Sequence, residues 1–163
     1  MRLRYLLLAA VVGALATVGV TAAIGKKPST DPGTLFATAL GKKEVSAVTG
    51  KKGAGDPNGR AGFTAVIRSN TSFCWGYAVK NVNGTPSGAH IHRGRPNVNG
   101  PIVIPLTPLP GSAAAGAASN CTTIDEDLGK AIKKNPSKYY FNFHTTPDFP
   151  NGAVRGQLFG KRR

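Results

Sequence analysis

Lys138-Tyr139-Tyr140-Phe141-Asn142-Phe143-His144-Thr145 is the stretch on which the fold turns. Successive side chains of an extended strand point to opposite faces. Phe141 and Phe143 therefore share an apolar face, while Tyr140, Asn142 and His144 share a polar one. That alternation predicts a strand over 138–145. Downstream, Pro150-Asn151-Gly152 reads as a turn leading to a last strand over 153–160. Upstream, Asp125 to Lys134 carries acids at its start and lysines at its end, as the dipole of a short helix favours, and Pro136 stops it. The adjacent carboxylates Asp125, Glu126 and Asp127 are most economically a helix start.

The remainder reads as short strands separated by turns. Thr34 to Leu40 is a first strand, and residues 49–59 are a turn region ending in Asn58-Gly59, a hairpin signal. Gly62 to Ser69 places Phe63, Ala65 and Ile67 on one face. Phe73 to Val82 follows, with Asn83-Gly84 as a second hairpin signal. A short strand at Ala89 to His92 and a compact apolar one at Pro101 to Leu106 precede a Pro/Gly/Ser/Ala loop over Thr107 to Ser119. The 21 Gly and 12 Pro fit this organisation, and there is no internal repeat. Some seven strands with one short helix predict an all-β domain, either an antiparallel β-sandwich or a flattened Greek-key barrel.

The N-terminus points to export. Arg2 and Arg4 precede an uncharged run from Tyr5 to Ile24, and small residues cluster at Thr21, Ala22, Ala23 and Gly25. This is the pattern of a signal peptide over 1–25, cleaved after Ala23 or Gly25. An uncleaved anchor is the alternative, since about 20 apolar residues can span a bilayer. In that case alone the domain would stay at a membrane. Residues 26–33 read as a linker, 34–160 as one domain, and 161–163 as a basic tail. Cleavage after residue 25 leaves 163 − 25 = 138 residues, enough for one core. The expected location is secreted or on the extracytoplasmic surface.

Net charge is +14, much of it in the doublets Lys26-Lys27, Lys42-Lys43, Lys51-Lys52 and Lys133-Lys134 and the terminal Lys161-Arg162-Arg163. Such charge either keeps turns solvated or attracts anionic cell-surface polymers. There is no nucleic-acid-binding motif and no basic stripe interleaved with aromatics, so nucleic acid is not an expected partner. Cys74 and Cys121 suit one disulfide of an exported chain, closing 121 − 74 = 47 residues, with two free thiols as the alternative. Asn70-Thr71-Ser72, Asn83-Gly84-Thr85 and Asn120-Cys121-Thr122 match the N-glycosylation pattern, which matters only in a eukaryotic secretory pathway.

The three histidines all fall in the most patterned segments. His90 and His92 flank Ile91, so on a strand both imidazoles project together while Ile91 enters the core. His144 ends the aromatic strand. Three imidazoles converging from two strands suit copper or zinc, with a fourth position for water. The competing reading is that they are hydrogen-bonded groups fixing loops. Arg155, just after the Pro150-Asn151-Gly152 turn, has the same alternative, bonding loop carbonyls. Gly94, Gly100, Gly152 and Gly156 read as turn or close-packing positions.

His90-Ile91-His92-Arg93-Gly94 with Asn99-Gly100-Pro101-Ile102-Val103, Phe143-His144-Thr145-Thr146, and Pro150-Asn151-Gly152-Ala153-Val154-Arg155-Gly156-Gln157-Leu158 resemble the CHRD domain, the module repeated in chordin and found singly in exported bacterial proteins. Leu35 to Val45 resembles that family's first strand, so the likeness covers about residues 34–160. It implies an all-β domain with no established enzymatic activity. The growth-factor antagonism of chordin does not carry over to a single domain. A fainter similarity is to Cu/Zn superoxide dismutase. By that likeness His90, His92 and His144 stand at copper-ligand positions, and Arg155 where an arginine guides anions. The departures are the lack of a bridging histidine and of a zinc-ligand cluster, and Leu158 where a disulfide cysteine would fall.

Two functions follow as expectations. One is a non-catalytic extracellular binding or structural module, with a three-histidine metal site that favours copper over zinc. The other is a copper-binding redox protein of dismutase-like shape. No nucleophile–base arrangement, phosphate-cradling loop or pair of catalytic carboxylates is legible, so an enzyme is the less favoured reading.

Overall fold

A computed structural model describes residues 33–106 and 116–160. The expected signal or anchor segment at 1–25, nearly all of the linker, the basic tail at 161–163 and most of the expected loop after residue 106 lie outside the described residues. Nine strands and one helix follow in chain order: β1 Thr34–Leu40, β2 Arg60–Arg68, β3 Ser72–Lys80, β4 Thr85–Arg93, β5 Ile102–Pro105, β6 Ala117–Thr123, α1 Glu126–Lys134, β7 Tyr139–Thr146, β8 Phe149–Gln157 and β9 Phe159–Gly160. The strands form one antiparallel sheet in the order β5-β4-β7-β8-β1-β2-β3-β6, with β9 paired to β1. The all-β fold with one short helix is as the sequence predicts.

The sheet curls until its two halves face each other as the layers of a sandwich. Phe63 on β2 stacks on Phe141 of β7 with centroids 4.8 Å apart, although β8 and β1 separate those strands within the sheet. Tyr77 of β3 meets Phe141 and Phe143 at 5.5 and 5.7 Å. The inward set comes from the alternation already read: Phe63, Ala65 and Ile67 from β2, Ile91 from β4, Phe141 and Phe143 from β7 are all buried. Helix α1 begins at the N-cap Asp125, whose carboxylate accepts from the Leu128 N–H, and it drops Ile132 into the core.

Five local expectations are corrected. Asn83-Gly84 does not close a hairpin, because β3 pairs with β2 and β6 while β4 pairs with β5 and β7. The segment instead carries the chain from one half of the sheet to the other. It is tied at Asn83, whose N–H donates to Asp56 Oδ2 and whose carbonyl accepts from Thr145 Oγ1. Asn58-Gly59 likewise makes no two-residue hairpin. Fully buried Asp56 accepts from the Asn58 and Gly59 N–H groups and so builds that turn around one carboxylate.

The residues 117–119 belong to β6, not to a loop. Their small side chains (Ala117, Ala118 and Ser119) give them little strand propensity, and the open edge of β3 supplies their partner. Lastly, Pro150-Asn151-Gly152 lies inside β8, the turn being at Pro147-Asp148. Between the pairs Phe143↔Val154 and Thr145↔Phe149, two steps along β7 match five along β8, so the expected turn is a wide bulge with Gly152 at φ +131°. Strand β4 also starts earlier than expected, at Thr85. Its Pro86 is tolerated because β5 pairs only with His90 to His92, leaving that side of β4 open.

Cys74 and Cys121 are direct cross-strand partners and form a disulfide. It clamps edge strand β6, which among the described residues has β3 as its one sheet neighbour. Closing a loop of 47 residues stabilises by about 4 kcal/mol on chain-entropy grounds. The double variant Cys74→Ser/Cys121→Ser should lose about 2–4 kcal/mol in denaturant unfolding. Hydrogen exchange should show β6 amides losing protection before those of β7.

Candidate metal centre

The three histidines meet on the outer face of β4 and β7. Register pairs His90 with Asn142, His92 with Tyr140 and Gly88 with His144, so all three imidazoles rise from one patch two strands wide. The ring centroids of His90 lie 5.0 Å from His144 and 5.7 Å from His92, and those of His92 and His144 are 6.5 Å apart. One ring nitrogen of each residue falls within 4.8 Å of the other two. This is the one group of three or more His, Cys, Asp or Glu among the described residues with that convergence.

The tautomers follow from the hydrogen bonds. His92 Nδ1 lies 2.9 Å from the Gly100 carbonyl and His144 Nδ1 lies 3.1 Å from the Pro150 carbonyl. A carbonyl oxygen only accepts, so each Nδ1 carries the proton and each Nε2 presents a lone pair. Those Nε2 atoms are buried and meet no donor, and neither does His90 Nδ1. Each histidine thus has one buried ring nitrogen without a protein partner, and the three rings meet in one place. Burial, first of all, pushes all three groups below the ordinary histidine value, and for His90 burial together with the neighbouring His144 and His92 brings it to about 4. The donor set is neutral at pH 7 and free to bind a cation.

Each supporting contact has a local cause. The bulge in β8 brings the Pro150 carbonyl back to His144, which a regular strand would not do. Gly100 packs so tightly that a Cβ there would lie 1.7 Å from the Arg93 carbonyl oxygen, and this lets its own carbonyl reach His92. Gly88 leaves room for the His90 ring, since a Cβ at that position would meet Cε1 at 3.1 Å. Tyr140 stacks on His92 at 4.7 Å with a 6° interplanar angle, and its hydroxyl accepts from the Gly100 N–H.

Arg155, on β8 opposite Asn142, lays its guanidinium 3.5 Å over the other side of the Tyr140 ring. Its N–H groups donate to the Arg95 and Val98 carbonyls and to Asn99 Oδ1, holding the 94–100 loop over the sheet. It does not join the histidine cluster; it buttresses it through Tyr140. Tyr140, Asn99, the Pro150 carbonyl and Glu44 are site neighbours that residue type alone did not single out. Glu44 lies buried beneath Gly152, where a Cβ would come within 2.7 Å of its carboxylate. Burial raises its pKa against the opposing influences of the Val45 N–H, Arg155 and Asn142.

The family model for the CHRD domain matches residues 35–158. The chain therefore belongs to the CHRD-domain family, and the matched span contains β1 from its second residue, β2 through β8, all three histidines, Arg155 and the disulfide. Neither the curated proteins nor the solved structures contain a significant match to the chain.

The histidine burial has a consequence for the metal-free protein. Unfolded histidines take up protons near their ordinary value of about 6.5, and the folded ones only at lower pH. Between those values the unfolded chain binds more protons, so stability falls as pH falls from about 7 toward 4. Glu44, with its raised value, acts in the opposite direction. Comparing the protein with its His90→Gln/His92→Gln/His144→Gln variant cancels that contribution. The loss of thermal midpoint between pH 7 and pH 5 should be larger for the unsubstituted chain.

Proposed function

We propose that this CHRD-domain protein is an exported, non-catalytic binding or structural module that holds one copper or zinc ion through His90, His92 and His144. The observation that carries the reading is the convergence of three imidazoles, each of which has a buried ring nitrogen that no protein group meets. Burying such atoms is costly unless something is bound to them. Zinc and copper are the ions that imidazole donors suit, and copper(II) is favoured over zinc by intrinsic affinity. Imidazole nitrogens held at about 2.0–2.1 Å by one tetrahedral ion stand about 3.3 Å from each other, and small side-chain rotations bring ligand atoms that lie within 4.8 Å of one another to that spacing.

The residues around the cluster act as orienting groups for that role. The Gly100 and Pro150 carbonyls fix two tautomers, and the Tyr140–Arg155 stack keeps His92 from turning. Export is supported by the N-terminal charge and hydropathy pattern and by the disulfide, which persists only in oxidising surroundings. Among the described residues no helix is long and apolar enough to cross a membrane.

Titration of the purified apo protein with Cu(II) and Zn(II) by calorimetry tests the site. One equivalent should bind, and His90→Ala, His92→Ala or His144→Ala should each weaken binding by about 100-fold or more while circular dichroism stays unchanged. Undiminished copper affinity in the triple variant would sink the site. Superoxide turnover by the copper-loaded protein, lost in the same variants, would replace the non-catalytic reading with the redox one.

A further inference from the structure

Arg155 carries a charge for which the described residues provide no ion-pair partner. The residue is 2% exposed. Three of its N–H groups go to neutral oxygens, and its face rests on Tyr140. Among the described residues the ion pairs are those of Lys130 with Glu126 and Asp127 on exposed α1, so no carboxylate reaches Arg155 at contact distance. Glu44, the acid that its charge does influence, is itself buried, and desolvation favours its neutral form. A buried guanidinium in that situation is costly, and an anion beside it removes the cost.

A place for that anion exists. A cavity of about 320 Å³ opens beside Arg155 and is lined by Lys43, Lys52, Pro96, Asn97, Arg155 and Gln157. Three cations and two amides line it, and no carboxylate does. Its size is at the small end of ligand cavities, which run from about 300 to 1,000 Å³. The cavity is assembled by specific contacts. Lys43 Nζ donates to the Thr38 carbonyl at 3.3 Å, and Lys52 is held across from Val45 by a β-bridge. Asn99 ties both sides together, its amide donating to the Val45 carbonyl and its Oδ1 accepting from Arg155. Of the five N–H donors of a guanidinium, the three bonds above leave two.

We propose that the Lys43–Lys52–Arg155 cavity is an oxyanion site that takes a small phosphate-bearing ligand. A guanidinium fork beside two ammonium groups matches a phosphate carrying one or two charges. The site sits on the far side of the Tyr140 and Asn142 side chains of β7 from the histidines and needs no metal ion. The same phosphate chemistry reaches an exported protein either as free phosphate or as phosphate esters of a cell-surface polymer.

The test is calorimetric titration of the apo protein with inorganic phosphate and, separately, with a short glycerol phosphate oligomer, against a chloride background of equal ionic strength. Tighter binding of phosphate identifies the free anion as the ligand, and tighter binding of the oligomer identifies the polymer. Lys43→Gln/Lys52→Gln should weaken the preferred ligand by about tenfold or more. Lys133→Gln/Lys134→Gln, which removes the same charge at the end of α1, should leave it unchanged. The triple His→Gln variant should also bind as the unsubstituted protein does. Three results would each overturn the proposal: no binding above the chloride background, equal losses in the two lysine pairs, or loss in the histidine variant alone. The last would place the anion at the imidazoles, and it leaves the metal reading to its own titration.

Discussion

Strand β7 is buried on both faces, and every feature of the site descends from that constraint. One face needs only apolar bulk, and Phe141 and Phe143 supply it against Phe63 and Tyr77 from the opposite half of the sheet. The other face carries Tyr140, Asn142 and His144, polar groups that burial obliges to find partners. Their partners come from segments distant in sequence. The bulge in β8 reaches His144, Gly100 reaches His92 and Tyr140, and Arg155 covers the Tyr140 ring. What remains unsatisfied around the site after these bonds is one ring nitrogen of each histidine, together with Asn142 Oδ1 and Glu44 Oε2.

The stack His92–Tyr140–Arg155 joins two regions of different electrostatic character. On one side, desolvation keeps three imidazoles neutral and their lone pairs available. On the other, a permanently charged guanidinium lies among backbone carbonyls beside two lysines. A cation suits the first and an anion the second, with one aromatic ring between them. Arg155 therefore has a structural duty toward the 94–100 loop and an unmet electrostatic one toward the cavity. The two are compatible because its bonds use three donors of five.

Much of the histidine face is legible in the sequence. Strand periodicity alone places His90 and His92 together with Ile91 inward, and His144 beside Tyr140 and Asn142 on the face opposite the two phenylalanines. Placed on two strands of this kind, the three imidazoles are expected to converge, and the fainter likeness to dismutase puts them at copper-ligand positions. The hairpin signals misled at Asn58-Gly59 and Asn83-Gly84 for a shared reason. A turn dipeptide reports local backbone preference, whereas the buried Asp56 carboxylate, which bonds to both segments, decides where the chain goes next. Strand β6 was illegible for a related cause: its residues have little propensity of their own and are recruited by an open edge and a disulfide.

The division between sequence and tertiary structure is thus physical. Alternation, helix capping and cysteine count depend on neighbours in the chain, so an all-β domain with one helix, its inward residues and the candidate ligands could be read directly. Which imidazole nitrogen is bare depends on the Gly100 and Pro150 carbonyls. Whether Arg155 has a counterion depends on which acids fold near it, and Lys43 and Lys52 become a site only when their loop is tied back by Asn99. Those are relations between residues dozens of positions apart, set by the curl of the sheet, and no local pattern encodes them.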